Sequence, residues 1–284
     1  MTGLINLYKP SGMSSAQAVA RVRKILGEKT VGHMGTLDPM AEGVLVIGVG
    51  KATRLFDYLV QKRKSYTAKF KFGYETDTLD ALGKTIKTTR DIPSDTAVLA
   101  AMQSLVGKIE QIPPVFSAKH IDGERAYKLA RRGVETELKP VPVEIYAVEL
   151  VCQPRPDELV FNIDCSAGTY IRSICRDAAR LCGSLATLTY LQRTASGRFK
   201  VCNSVTLENL EIQKSAALTA VDEALDIPKI EIADARYDDL VCGRRVQCDF
   251  SGYAYVYCRG ELFGIANADG GVLNLKTYLK DGTV

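Results

Sequence analysis

The sequence predicts an α+β protein that ends in a small β unit, and three observations carry the prediction. Segments that alternate apolar and polar residues, such as SYTAKFKFG, PVPVEIYAVELVC and ELVFNIDC, mark strands along the chain. Segments of helical period, SSAQAVARVRKILG, SDTAVLAAMQSLVG and TYIRSICRDAARLCG, fall between them. After a break at DIPKIEIADA, the run YAYVYCRGELFGIANADGGVLNLKTYL holds strand and turn signals only. A chain of 284 residues exceeds the usual single domain, so we expect a large unit over 1–230 and a small one over 231–284.

The elements follow in order. LINLY reads as a strand ended by the turn KPSG. The first helix has Ser14 as N-cap, Val19, Val22, Ile25 and Leu26 on one face, and Gly27 as its stop. EKTVGHMGTLDPMAEG has no sustained apolar period and is rich in glycine, and the continuously apolar GVLVIGVG after it reads as a buried strand. ATRLFDYLV is a short helix. In SYTAKFKFG a period of two sets Tyr66, Ala68, Phe70 and Phe72 on one face and Thr67, Lys69 and Lys71 on the other. ETDTLDALG is a turn-rich loop before the strand GKTIKT, and a capped helix, SDTAVLAAMQSLVG, follows. Beyond the proline break IPPVFSAKHIDG, ERAYKLARRG reads as a short basic helix ending at Gly133. In TYIRSICRDAARLCG, Thr169 is the expected cap, Ile171, Ile174, Cys175, Ala178 and Leu181 form the apolar face, and Arg172, Arg176 and Arg180 lie opposite. SLATLTYLQRTASGRFKV reads as a hairpin-like strand pair, with two short helices reaching to about Asp226.

Composition narrows the function classes. With 46% apolar and 25% charged residues the chain is expected to fold throughout. The start, MTGLINLYKPSG, lacks a charged region followed by an apolar one, and no apolar run is long enough to cross a bilayer, so a cytoplasmic protein with no membrane association is expected. The eight cysteines all lie in the second half and include no C-x-x-C pair, and the two histidines, His33 and His120, are far from them in sequence. We therefore expect no metal and reduced thiols. The net charge is only +4, yet Lys and Arg are dense in QKRKSYTAKFK, in AYKLARRG and along the Arg172, Arg176, Arg180 series. Such clusters can hold a polyanion if they converge in space, although each alone reads more readily as solvated surface charge.

The glycine-rich loop before the buried strand is where a fixed, exposed side chain can be presented, and Asp38 occupies it. Taken alone, an aspartate before a proline reads as a turn residue. Its surroundings change that reading. KPSGMSS (9–15), GHMGTLDPMAEGVLVIGVGKATRL (32–55), KSYTAKFKFGYETDTLDALG (64–83) and CSAGTYIRSICRDAARL (165–181) together resemble the bacterial tRNA pseudouridine synthase B family, in order, over about four-fifths of the chain.

The resemblance implies a pseudouridine synthase fold: a mixed, largely antiparallel central sheet with flanking helices, plus a small C-terminal PUA-like β domain. It implies isomerisation of uridine 55 in the tRNA T-loop, in which the ribose anomeric carbon leaves N1 and rejoins the same base at C5. No atoms are gained or lost, so no cofactor is needed, and a carboxylate can serve as nucleophile, base or stabiliser of a cationic sugar. By the family motif that carboxylate is Asp38, Tyr66 is the tyrosine that stacks on the target base, and Arg172 is the arginine that pairs with the aspartate. His33 matches a histidine that helps hold extruded nucleotides, Lys9 and Pro10 a segment that supports the catalytic loop, and Tyr170 and Leu191 positions lining the uracil pocket. Residues 119–139 resemble an insertion that closes over the RNA T-arm, with Lys119, Lys128, Arg131 and Arg132 as candidate phosphate contacts. Asp77 and Asp80 read either as an acid–base pair or as turn residues.

Three alternatives stand beside this reading: a guide-RNA-dependent pseudouridine synthase subunit, an RNA-binding or RNA-folding protein without catalysis, and an N-glycosylase that releases the base, which would need water to capture the sugar carbon. The early KPSG segment and the short last unit favour a stand-alone monomer acting on the tRNA T-arm with no obligate protein partner.

Overall fold

The computed structural model describes residues 1–116, 132 and 138–280, and the backbone of 120–121 and 124–125. The first unit contains β1 (Gly3–Lys9), α1 (Ser15–Leu26), β2 (Val31–His33), β3 (Glu42–Val49), α2 (Phe56–Val60), β4 (Lys64–Phe72), β5 (Tyr74–Thr76), β6 (Thr85–Thr88), α3 (Asp95–Ser104) and β7 (Gly107–Gln111). It continues through β8 (His120–Ile121), β9 (Glu124–Arg125), β10 (Val141–Arg155), β11 (Glu158–Cys165), α4 (Ile171–Leu181), β12 (Ala186–Ser196), β13 (Phe199–Lys200) and α5 (Leu207–Gln213). The strands β14 (Lys229–Glu231), β15 (Val246–Gln247), β16 (Gly252–Cys258), β17 (Glu261–Asp269) and β18 (Val272–Tyr278) form the last sheet, with α6 (Tyr237–Val241) among them.

A 9-stranded sheet runs β1-β3-β12-β4-β11-β10-β7, with β2 on β3 and β13 on β12. Its pairs are antiparallel except β12 with β3, which are parallel over only Gln192↔Glu42 and Arg193↔Gly43. The sheet is therefore mixed and largely antiparallel, with helices packed on it. β4 lies in the middle, and its register sets Tyr66 opposite Ile163 on β11 and Arg193 on β12. The period-two face of β4 is the core face: Ala68, Phe70 and Phe72 are buried, and Phe70 meets Phe161 with ring centroids 5.4 Å apart.

Several local expectations hold for their physical reasons. Ser14 caps α1 through a reciprocal capping box with Gln17, and Gly27 ends the helix in the left-handed conformation. GVLVIGVG is buried up to its last glycine because β1 pairs with β3 along one edge and β2 along the other, while α1 packs over it.

Other expectations change. Thr169 does not cap α4; the N-cap residue is Tyr170, without a side-chain cap, and Thr169 Oγ1 lies 3.3 Å from Ser166 Oγ instead. The face of α4 read as opposite to the core is largely buried too, because Arg172 and Arg176 are covered by the segment after β7 and only Arg180 reaches solvent. The start of ETDTLDALG joins β5, paired with β6. Glu124 and Arg125, expected in a basic helix, are in a short strand pair; the rest of that segment lies outside the described residues, except Arg132, which is exposed. The last unit also holds α6, which the strand-only reading did not include.

The 5-stranded last sheet, β14-β16-β17-β18-β15, packs against the first unit. Tyr255 and Ile265 share a buried cluster with Leu4, Val44 and Val46. The Tyr255 hydroxyl donates to Val221 O at 2.8 Å and accepts from Leu225 N at 3.1 Å. Tyr255→Phe leaves both backbone groups without that partner, and we expect a stability loss of about 1–3 kcal/mol. Urea unfolding of both proteins measures it; an unchanged midpoint would show that the bridge contributes nothing.

Candidate active site

Between β2 and β3 the chain crosses 34–41 without a ladder of its own, and side chains from distant segments satisfy its backbone. Ser15, at the start of α1, donates from Oγ to Leu37 O and accepts from Leu37 N, both at 2.9 Å. Ser11 Oγ donates to Met40 O at 2.8 Å and Gly12 N to Pro39 O at 2.8 Å. From the other side Arg193, 2% exposed, donates from each of its three nitrogens to a carbonyl: Nε to Val44 O at 2.7 Å, Nη1 to Thr36 O at 3.1 Å and Nη2 to Gly35 O at 3.2 Å. This is why Gly43 is a glycine. Its φ is +98°, and a Cβ there would lie 2.4 Å from the Arg193 carbonyl.

Asp38 sits in the middle of this braced loop and is 31% exposed at its side chain. Arg172 Nε lies 2.8 Å from Asp38 Oδ2, but its N–H is not aligned on the oxygen, so the contact is a close charge pair and not a directed hydrogen bond. The other two nitrogens hold Arg172 in place, Nη1 donating to Thr78 O and Nη2 to Phe116 O, each at 3.0 Å. The helix that carries it is fixed at its first turn. Gln111 accepts from Tyr170 N at 2.8 Å and donates to Tyr170 O at 3.1 Å, while Ser173 and Arg176 both donate to Ile112 O.

Asp38 opens on a cavity of about 360 Å³. That falls within the usual range for small-ligand pockets. Its wall includes Thr36, Leu37, Tyr66, Thr169, Tyr170, Leu191, Arg193 and Lys64. Burial raises the Tyr66 phenol above its usual range, with Arg193 acting in the opposite direction, so the hydroxyl is protonated at neutral pH. Lys9 is wholly buried beneath the loop, where its ammonium donates to Pro10 O at 2.8 Å and Met13 O at 2.6 Å. Burial lowers it to about 8, opposed in part by the Asp38 charge. The arrangement presents one accessible carboxylate, an aromatic ring and a buried cation along a single cavity.

Residues 23–171 match the TruB family pseudouridylate synthase (N terminal domain). The tRNA pseudouridine synthase B of Thermosipho melanesiensis is 37% identical over 295 residues, covering 100% of this chain and 97% of that protein. Its counterpart in Caulobacter sp. (strain K31) is 40% identical over 252 residues, covering 87% of this chain and 81% of the relative. This chain belongs to the TruB family. Among solved structures, a chain of the crystal structure of a Cbf5-Nop10-Gar1 complex superposes with a TM-score of 0.73 at 24% identity, covering 97% of this chain and 84% of that one. That likeness is one of fold.

In this TruB family member Asp38, Tyr66, Tyr170 and Leu191 line one cavity, with Arg172 behind Asp38. His33 ends β2 and does not line the cavity. Lys119, Lys128 and Arg131 lie outside the described residues. Asp77 and Asp80 are turn residues: Asp77 Oδ1 accepts from Lys84 N, and Asp80 Oδ1 accepts from Thr78 Oγ1 and Leu82 N. Asp80 also places Oδ2 3.9 Å from Arg172 Nη1, adding negative charge behind the arginine. Among the described residues no three His, Cys, Asp or Glu side chains are grouped to hold a metal ion, and no helix is long and apolar enough to cross a membrane.

Two charged cavity residues are not among those the sequence singles out, Lys64 and Arg193. The signal was available. Each lies two residues from a cavity residue on its own strand, Lys64 from Tyr66 and Arg193 from Leu191, and a period of two puts them on the same face.

Gly43→Ala has to adopt a left-handed backbone and displace the Arg193 carbonyl, which we expect to cost about 1–3 kcal/mol. Urea unfolding tests this. Full stability in the variant would mean that β3 and β12 separate easily at this point.

Proposed function

We propose that this chain isomerises a uridine of tRNA to pseudouridine, at position 55 of the T-loop, with Asp38 as the catalytic carboxylate. The observation that carries the reading is the Asp38–Arg172 pair at 2.8 Å, its carboxylate open to a cavity walled by Tyr66, Tyr170 and Leu191. The relatives' common name, tRNA pseudouridine synthase B, supports tRNA as the substrate.

The cavity has room for a nucleoside and not for a folded RNA loop, so the uridine has to be extruded into it. Extrusion costs a few kcal/mol of lost stacking, which the Tyr66 ring and phosphate contacts offset. Arg172 keeps the carboxylate in one orientation without covering it, as an attack on the sugar requires. The protonated Tyr66 phenol fits stacking first; if it removes the C5 proton late in the reaction, it must first release its own. His33 and Arg132, with Lys119, Lys128 and Arg131, are proposed RNA contacts, and Lys9 a support of the loop. We assign residues 1–230 to catalysis and 231–284 to additional RNA contact, in a monomer that works without a guide RNA.

The test uses unmodified tRNA tritiated at uracil C5 and the purified protein alone. Tritium release without guide RNA or added cofactor is expected, as is its loss in Asp38→Asn with tRNA affinity largely kept. An active Asp38→Asn enzyme would overturn the assignment, and release of free uracil would indicate a glycosylase. Tyr66→Ala should lower the single-turnover rate more than affinity; a fall in affinity alone would reduce Tyr66 to a stacking platform. Arg172→Lys keeps the charge but not the planar fork held by Thr78 and Phe116, and a rate loss of about 100-fold is expected. Turnover equal to the parent enzyme would show that charge alone suffices.

A further inference from the structure

Lys64 opens β4, two residues before Tyr66, and both side chains face the cavity. The residue is only 5% exposed. Its ammonium has two distant partners, Leu59 O and Val60 O, each at 3.4 Å, and no carboxylate lies within ion-pairing distance among the described residues. The neighbouring cations repel it, Arg193 from β12 and Lys62 from the turn before the strand, while the Cys165 thiol faces it from β11. Burial and those charges lower the amine to about 8. A largely buried cation with weak acceptors is unfavourable in the empty site and becomes favourable when an anion arrives.

The other cations around the cavity are already committed, Lys9 through its donations to Pro10 O and Met13 O. Arg193 is fixed by one hydrogen bond from each of its three nitrogens, to Val44, Thr36 and Gly35 carbonyls, and Arg172 by the Thr78 and Phe116 carbonyls beside its charge pair with Asp38. Among the described cavity-lining residues, Lys64 is the cation that no acceptor approaches closer than 3.4 Å. It stands two residues from Tyr66 on the same strand face, beside the ring proposed to stack on the base, and so lies on the base side of a nucleoside whose sugar meets Asp38.

We propose that Lys64 is a catalytic residue whose ammonium stabilises negative charge on a uracil carbonyl oxygen while the base is detached from ribose. The inference rests on the Asp38 cavity being the reaction site. When the C1′–N1 bond breaks, its electron pair stays with N1 and spreads onto O2 and O4, and the electron demand at C1′ is met on the Asp38 side. The base turns, a ring π pair forms the C1′–C5 bond, the C5 proton leaves, and N1 takes one up, so the composition is unchanged. Between the two bonds the base is an anion that must be held while it rotates. A flexible stem with three donors can follow a moving carbonyl, which a guanidinium fixed by three backbone oxygens cannot.

The test compares Lys64→Met and Lys64→Arg on unmodified tRNA by single-turnover rate and by binding titration. Lys64→Met should slow the reaction by about 10²–10³-fold, the usual loss on removing one oriented electrostatic partner of a developing anion. Its tRNA affinity should stay near that of the parent, and Lys64→Arg should recover part of the rate. With 5-fluorouridine at the target position the departing base is more acidic, so the loss of substrate consumption in Lys64→Met should shrink. An unchanged rate, a matching fall in affinity, or an equal loss on both substrates would overturn the proposal and leave Lys64 as a support for the end of α2. If Lys64→Met does not fold by circular dichroism, the same comparison between Lys64→Gln and Lys64→Arg decides. Asp38→Asn is measured in parallel. Activity in that variant would refute the site itself, whereas an inactive Asp38→Asn beside a fully active Lys64→Met refutes only the role of Lys64.

Discussion

The carbonyl and amide groups of 34–41 need hydrogen-bond partners that the segment cannot give itself, and the partners come from both ends of the first unit. Ser11, Gly12 and Ser15 reach in from the connection between β1 and α1, and Arg193 reaches in from β12. Buried backbone groups are expensive to leave unpaired, so these contacts tie the position of Asp38 to the packing of α1 and to the seam between β3 and β12. That seam is parallel and only two residue pairs long, and the cavity lies beside it.

Four buried cations stand around this loop. Lys9, Lys64, Arg172 and Arg193 are all nearly inaccessible around a single exposed carboxylate. Their hydrogen bonds run to backbone carbonyls of several segments, Arg193 to Gly35 and Thr36 of the loop, Lys9 to Pro10 and Met13, Lys64 to Leu59 and Val60, and Arg172 to Thr78 and Phe116, which leaves positive potential beside the cavity. Such a site suits an RNA substrate and a reaction in which charge develops on the base. It also places function and stability in tension, because a cation buried for an absent anion destabilises the free protein.

Local signals made much of the architecture legible. Ser14 and Gly27 bound α1 because capping chemistry is short-range. The alternation from Tyr66 to Phe72 marked the core face of β4. Thr169 misled for the opposite reason: a side chain of the right type stands before α4, but Gln111, 59 residues away, engages the helix start first. Arg176 read as a surface residue because helical periodicity shows which residues share a face, not what packs over it; the backbone at Ile112 covers it.

By itself the sequence determined the α+β class, most of its elements, the loop that presents Asp38 and the family resemblance, since these depend on periodicity, on glycine and proline, and on contiguous motifs. Only the tertiary structure decided that Arg172 meets Asp38, that Asp77 and Asp80 belong to a turn, and that Arg193 and Lys64 complete the cavity. Strand alternation separates two faces but cannot tell which will border a cavity. That follows from β12 lying between β3 and β4, an order set by contacts between residues more than a hundred positions apart.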